Sequence, residues 1–157
     1  MNVVSKKPII GGIILAVIVG IIFVGSQINP DNPENINFVF HVTLADPALY
    51  DEKGLYNDFF ILEKGVYEFR FVPNGDSPTK LSIELWAIEA GKEKRSTFAE
   101  DFQLQGSLVE DEFSSWYIWD YLGEKRIIFD ESYTMEIVIS PNRNLVGPVS
   151  IDLIKLR

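Results

Sequence analysis

Residues 66–72 read VYEFRFV and residues 81–87 read LSIELWA. In the first, Tyr67, Phe69 and Phe71 alternate with Glu68 and Arg70; in the second, Leu81, Ile83 and Leu85 alternate with Ser82 and Glu84. A period of two puts the apolar set on one side of a pleated strand and the polar set on the other. Both stretches therefore read as strands with one buried face. Between them, residues 73–79 (PNGDSPT) are dense in turn formers, which predicts a hairpin.

The same reading extends in both directions. Strand candidates cover residues 36–44, 59–62, 98–104, 113–121, 126–130, 133–140 and 149–156, with Tyr133, Met135, Ile137 and Ile139 again two apart. Short strands separated by turn signals every 8–12 residues or so mark a sandwich or barrel. Only residues 46–54 read as helical, with Asp46 as cap, Pro47 in the first turn and Gly54 at the stop. The expected fold is all-β: an antiparallel β-sandwich, jelly-roll-like, over residues 36–157, preceded by one N-terminal transmembrane helix.

The helix is expected from the uncharged run that follows Lys6 and Lys7, whose core is IIGGIILAVIVGIIFVG (9–25). At about 1.5 Å per residue, residues 8–28 span roughly 31 Å, the thickness of a hydrocarbon core. The lysines precede the run and Asp31 and Glu34 follow it, so the positive-inside rule keeps residues 1–7 as a cytoplasmic tail. The expected location is the cytoplasmic membrane, single-pass, with the C-terminal domain outside. Residues 29–35, with Pro30 and Pro33, form a short linker. A cleaved signal peptide is the rival reading, with Val24-Gly25-Ser26 as cleavage site, but the run exceeds the roughly 7–15 apolar residues of a signal core. A pilin-like filament helix lacks a Lys-Gly processing site before the run. Gly12, Ala16 and Gly20 recur at four-residue spacing and would let a second helix approach closely, although such residues are common in membrane helices generally.

Composition excludes several classes. The 157 residues carry 14 Lys+Arg against 23 Asp+Glu and no cysteine. Disulfides, thiolate zinc sites and CxxC redox chemistry are thereby excluded. Only Lys6 and Lys7 lie before residue 26, which leaves the exported part with 12 basic and 23 acidic residues, a charge of −11. An anionic surface of this size disfavours docking against anionic lipid headgroups and disfavours nucleic acid as a partner, and it keeps neighbouring heads apart. A cysteine-free head beside a membrane suits a prokaryotic, archaeal envelope.

The stretch KGVYEFRFVPNGDSPTKLSIELWAI (64–88) resembles the core hairpin of GOLD-type heads, the lumenal domains of p24/emp24-like membrane proteins. That family pairs a Gly-x-Tyr-x-Phe-x-Phe strand with an apolar alternating one in a compact β-sandwich. The likeness covers about a sixth of the chain. Family heads carry their membrane span after the sandwich and usually a disulfide, whereas this chain has its apolar run first and no Cys. The resemblance implies an adaptor-like sandwich and brings no catalytic residues with it.

The densest aromatic segment is WYIWDY (116–121). As a strand it places Phe113, Tyr117, Trp119 and Tyr121 on one face and Trp116, Ile118 and Leu122 on the other, so both faces are apolar where a sandwich strand needs only one. Either a loop of the same domain covers the second face, or Trp116, Tyr117, Trp119 and Tyr121 form a patch for a sugar ring or a protein. Acidic runs at 110–112, 130–131 and 51–52 offer calcium-type oxygen ligands without any fixed ligand spacing, and read first as solvated loops. His41 is the single histidine and reads as a surface or satisfied strand residue. The basic loop GKEKRS (91–96) reads as a hairpin connection. No GxSxG, P-loop, GxGxxG or HExxH motif is present, and no Asn-x-Ser/Thr acceptor. A carboxylate pair for glycoside hydrolysis needs a separation that sequence does not supply.

The expected function is a non-catalytic, membrane-anchored binding or adaptor module, without cofactor or metal, acting as an accessory subunit. Its protein partner would be met through Gly12, Ala16 and Gly20 and through the aromatic strand. The alternatives are a tethered glycan- or calcium-binding head, and a pilin-like or surface-layer component.

Overall fold

A computed structural model describes residues 37–156. The transmembrane helix, the linker and the trio Gly12, Ala16 and Gly20 lie outside the described residues. Among the described residues no helix is long and apolar enough to cross a membrane.

Alternation is what folds this chain. Strands β1 (Phe38–Leu44), β2 (Tyr56–Leu62), β3 (Gly65–Pro73), β4 (Lys80–Ile88) and β5 (Arg95–Glu110) are followed by β6 (Ser115–Leu122), β7 (Arg126–Phe129), β8 (Tyr133–Ser140) and β9 (Val149–Lys155). They form two antiparallel sheets, one ordered β1-β9-β3-β7 and the other β2-β8-β4-β5-β6. Tyr67 and Phe69 of β3 face Leu81, Ile83 and Leu85 of β4 and Met135, Ile137 and Ile139 of β8 across one core, all fully buried. Each such side chain contributes about 1.5–3 kcal/mol by leaving water, and the polar partners on the same strands face out. The result is a β-sandwich.

The hairpin expected between residues 66–72 and 81–87 is not formed. β3 lies in the first sheet, beside β9 and β7, while β4 lies in the second, between β8 and β5. Residues 74–79 are a turn that crosses from one sheet to the other. Turn-rich composition marks a reversal of direction, but says nothing about whether the second strand returns beside the first or above it. The turn is held across the sandwich: Ser77 Oγ donates to Pro148 O at 2.5 Å, and Asn144 Nδ2 donates to Asp76 O at 3.0 Å.

The helix expected at residues 46–54 shrinks to one 3-10 turn, Pro47–Leu49, with Asp46 Oδ1 accepting from Ala48 N as its cap. A bulge between Phe38 and Phe40 in β1 separates two phenylalanines that strict alternation would place on one face. Phe40 enters the core, and Phe38 lies beside His41 with ring centroids 6.3 Å apart.

β5 is the longest strand, far beyond the expected 98–104. Its pairing with β4 ends at Lys80 opposite Gln103, and from Gln103 to Glu110 its partner is β6 instead. The departure is marked by two hydrogen bonds onto one carbonyl, from Gln103 Nε2 and Leu104 N to Thr79 O. Strand directions then define two ends. Asn37, the β2–β3 turn, the β4–β5 loop and the β7–β8 turn lie at the end where the chain enters; the β5–β6 ribbon leaves from the other.

Candidate functional site

The ribbon carries the aromatic segment. Register places Leu104 opposite Tyr121, Gly106 opposite Trp119 and Leu108 opposite Tyr117 on one face, and Ser107 opposite Ile118 and Val109 opposite Trp116 on the other. The first face continues the core outward in three steps. Tyr121 is fully buried, packs against Phe71 with centroids 5.2 Å apart, and donates to Pro78 O at 2.5 Å. Burial pushes its phenol pKa up, since the phenolate would lose its water. Trp119 is half-buried over two glycines, and Tyr117 stacks on Trp119 with centroids 5.6 Å apart and is itself exposed.

The glycines make that step fit. A β-carbon at Gly106 would lie 2.7 Å from Trp119 Cζ3, and one at Gly75 only 3.2 Å from Trp119 Cζ2. Gly75 belongs to the turn that Ser77 and Asn144 tie down, so the base of the ribbon is set on a fixed support. Lys125 adds a clamp, with Nζ 2.8 and 2.9 Å from the two Asp120 oxygens and 5.5 Å from the Phe71 ring centroid. Gly106→Val is expected to displace the indole: in a variant with Trp86 and Trp116 changed to Phe, the remaining Trp119 emission shifts red, at a cost of about 1–3 kcal/mol. Unchanged emission would contradict this packing.

Beyond Gly106 and Trp119 the ribbon is apolar on both faces. Trp116, Tyr117 and Ile118 are 44%, 57% and 54% exposed, and Leu108 is 51% exposed. Four residues per strand at about 3.3 Å each carry the tip roughly 13 Å further. The tip is a turn built on Asp111, whose Oδ1 accepts from Phe113 N at 2.8 Å and Ser114 N at 2.7 Å. These backbone donors, Phe113 N first, hold the Asp111 carboxyl below its ordinary 3.8. Phe113 stands at the tip, 93% exposed. From Ser96 to Glu124 the chain contains seven carboxylates and no basic residue. The site is therefore an apolar, acid-flanked finger.

Of the four residues expected to form a patch, the structure presents two, Trp116 and Tyr117, and they lie on opposite faces. Tyr121 belongs to the core and offers no ring to a ligand, while Trp119, half-buried, supports the ribbon. Phe113, Ile118 and Leu108 extend the exposed surface. Alternation assigned the faces of residues 116–122 correctly, but Phe113 lies in the tip turn before β6, and the pattern carries no information on where β5 parts from β4, which decides what is buried.

The remaining candidates have local roles. His41 Nδ1 lies 2.5 Å from Asp152 Oδ1 on the outer face of the first sheet. Asp51 accepts from Leu55 N at 2.9 Å and Lys53 N at 2.8 Å, closing its loop. Lys94 in the basic loop bonds Glu136 at 2.9 Å and lies 5.1 Å over the Trp86 ring, while Lys92 pairs with Glu89. Among the described residues no group of three His, Asp or Glu side chains is placed to hold a metal ion.

Comparison with protein-family models found none that matches the chain, and comparison with curated proteins found no match.

Proposed function

We propose that the chain is a non-catalytic, membrane-anchored binding module, an accessory subunit that presents its β5–β6 finger to a protein partner outside the cytoplasmic membrane. The observation that carries this reading is the finger itself: apolar on both faces, projecting, and seated on a tied turn. Large exposed aromatics at a rigid projection are what interface anchors require, since little ordering entropy is left to lose on binding. The strand orders β1-β9-β3-β7 and β2-β8-β4-β5 support reading the sandwich as jelly-roll-like, with β6 added at the edge. The GOLD-type likeness of residues 64–88 agrees with an adaptor role.

Residues 8–28 supply the anchor in this proposal, and Gly12, Ala16 and Gly20 the helix face that meets the partner's own membrane segment. Gly12→Ile with Gly20→Ile is expected to weaken co-purification of the partner while leaving the chain in the membrane. Undiminished co-purification would remove the helix from the interface.

A further inference from the structure

We infer that the open edge of β6 takes an extended segment of the protein partner as one more strand of the second sheet, and that this segment is apolar along its middle and flanked by Lys or Arg. This deepens the finger reading above, by naming how the partner is held, and rests on it.

The backbone shows which groups are open. Leu104 and Tyr121 are opposed in the ribbon, yet Leu104 N donates to Thr79 O at 2.9 Å and Tyr121 N donates to Asp120 Oδ1 at 2.8 Å. That pair therefore exchanges no hydrogen bond. Bonded and non-bonded pairs alternate along an antiparallel ladder, so the opposed pairs Gly106–Trp119, Leu108–Tyr117 and Glu110–Ser115 are non-bonded as well. At the tip, Asp111 N donates to Ser114 O at 2.9 Å, which fits the same alternation. Ser115, Tyr117 and Trp119 thus turn their N–H and C=O groups away from β5. β6 is the last strand of its sheet, and among the described residues no strand pairs with that side.

The other edge strands are blunted, as sheet edges usually are. β1 carries its bulge, β7 has only four residues, and in β2 the Phe59 N–H is taken by Asp58 Oδ1 at 2.8 Å. β6 keeps an unbroken register over eight residues, with no proline or lysine. The far edge of β5, which β4 leaves beyond Gln103, offers Gln105, Gly106 and Ser107, and these give an added strand little to pack on.

An open backbone edge is matched by another extended chain, which supplies donors and acceptors in the same alternation. Side chains then select the segment. Trp116 and Ile118 on one face and Tyr117 on the other are exposed, so an added strand gains from being apolar on both faces. Glu110, Asp111, Glu112 and Asp120 flank the edge, and Lys125, the nearest cation in sequence, is held by Asp120. A second copy pairing edge to edge would set these carboxylates against themselves. A segment with cationic ends meets them with opposite charge.

The probe is the peptide KKVTVYVTKK, added at low salt to the full chain in a mild detergent. It is expected to bind and to slow amide hydrogen exchange at Tyr117 and Trp119 severalfold, while Ile118, already bonded to β5, changes little. The counterpart EEVTVYVTEE is expected to bind at least about tenfold more weakly. Tyr117→Pro removes an edge N–H without taking one from the β5 ladder, a position where proline is tolerated. Tyr117→Thr removes the same ring and keeps the N–H. The proline variant is expected to bind KKVTVYVTKK about tenfold more weakly than the threonine variant. No binding of KKVTVYVTKK, binding without protection at Tyr117 and Trp119, or equal affinity of the two variants would overturn strand addition; equal binding of the two peptides would overturn the cationic flanks. The exchange measurement needs no variant to fold. A native partner kept by Tyr117→Pro but lost with Phe113→Ser, Trp116→Ser and Ile118→Ser combined would overturn strand addition and leave the finger reading standing. A partner kept by both would overturn the finger reading and strand addition with it.

Discussion

Tyr121→Ala is expected to lower the unfolding free energy of the chain by about 3–5 kcal/mol, the range for an aromatic removed from a packed core. Its ring is fully buried against Phe71, and its hydroxyl is the donor to Pro78 O. Truncation therefore leaves a cavity and deprives a carbonyl of its partner at once. Trp116→Ala, five residues earlier in the same strand, is expected to change stability by no more than about 0.5 kcal/mol, because its ring lies on the ribbon's solvated face. Urea unfolding of the detergent-solubilised chain, followed by circular dichroism, checks the pair. Similar losses at both positions would show that the ribbon is folded back onto the sandwich rather than projecting from it.

The second large effect concerns binding. The triple variant Phe113→Ser, Trp116→Ser and Ile118→Ser removes the tip and most of one apolar face without touching Trp119 or Tyr121. Residues of this kind at the centre of an interface commonly cost at least about 2 kcal/mol when truncated, which corresponds to about thirtyfold in affinity. Affinity for the purified partner is expected to fall by at least that factor while the circular dichroism spectrum and unfolding midpoint stay unchanged. An affinity unchanged by the triple variant would place the interface elsewhere on the head. Added salt is expected to weaken the wild-type complex further, since seven carboxylates between Ser96 and Glu124 favour a partner whose apolar cleft has a cationic rim.

The strands were legible in the sequence because their signal is local. Tyr67, Phe69, Leu81, Ile83, Met135, Ile137 and Ile139 each sit two apart from a neighbour of the same kind, and each is buried in the core. Neighbour relations were not legible, for the same reason. Alternation in residues 66–72 and 81–87 is identical whether the two strands pair or lie in opposite sheets, and here they lie in opposite sheets. The length of β5 was hidden by Gln105, Gly106 and Ser107, a polar and flexible stretch with little strand preference of its own. It is a strand because β6 lies beside it. Gly106 also held the one clue to the ribbon's packing: a glycine opposite a tryptophan is room made for an indole. That clue needs the register before it can be read, and register comes from the fold.

The candidate site was legible by composition and not by geometry. Both faces of residues 116–121 read as apolar, which pointed to the segment. Which rings the sandwich takes for itself depends on a distance along the ribbon: Tyr121 lies at its base, Trp119 on the supporting turn, and Trp116 beyond it. Phe113 was read as the start of the strand, whereas Asp111 turns the chain there and leaves the ring in solvent.

Purification from native membranes in a mild detergent, with intact masses of the chain and of everything that migrates with it, tests the binding-module reading most directly. A partner in fixed stoichiometry that is present with the wild-type chain and lost with the Phe113, Trp116 and Ile118 triple variant is the predicted result. A wild-type chain that migrates alone, or a partner retained by the triple variant, would contradict a finger-mediated accessory role.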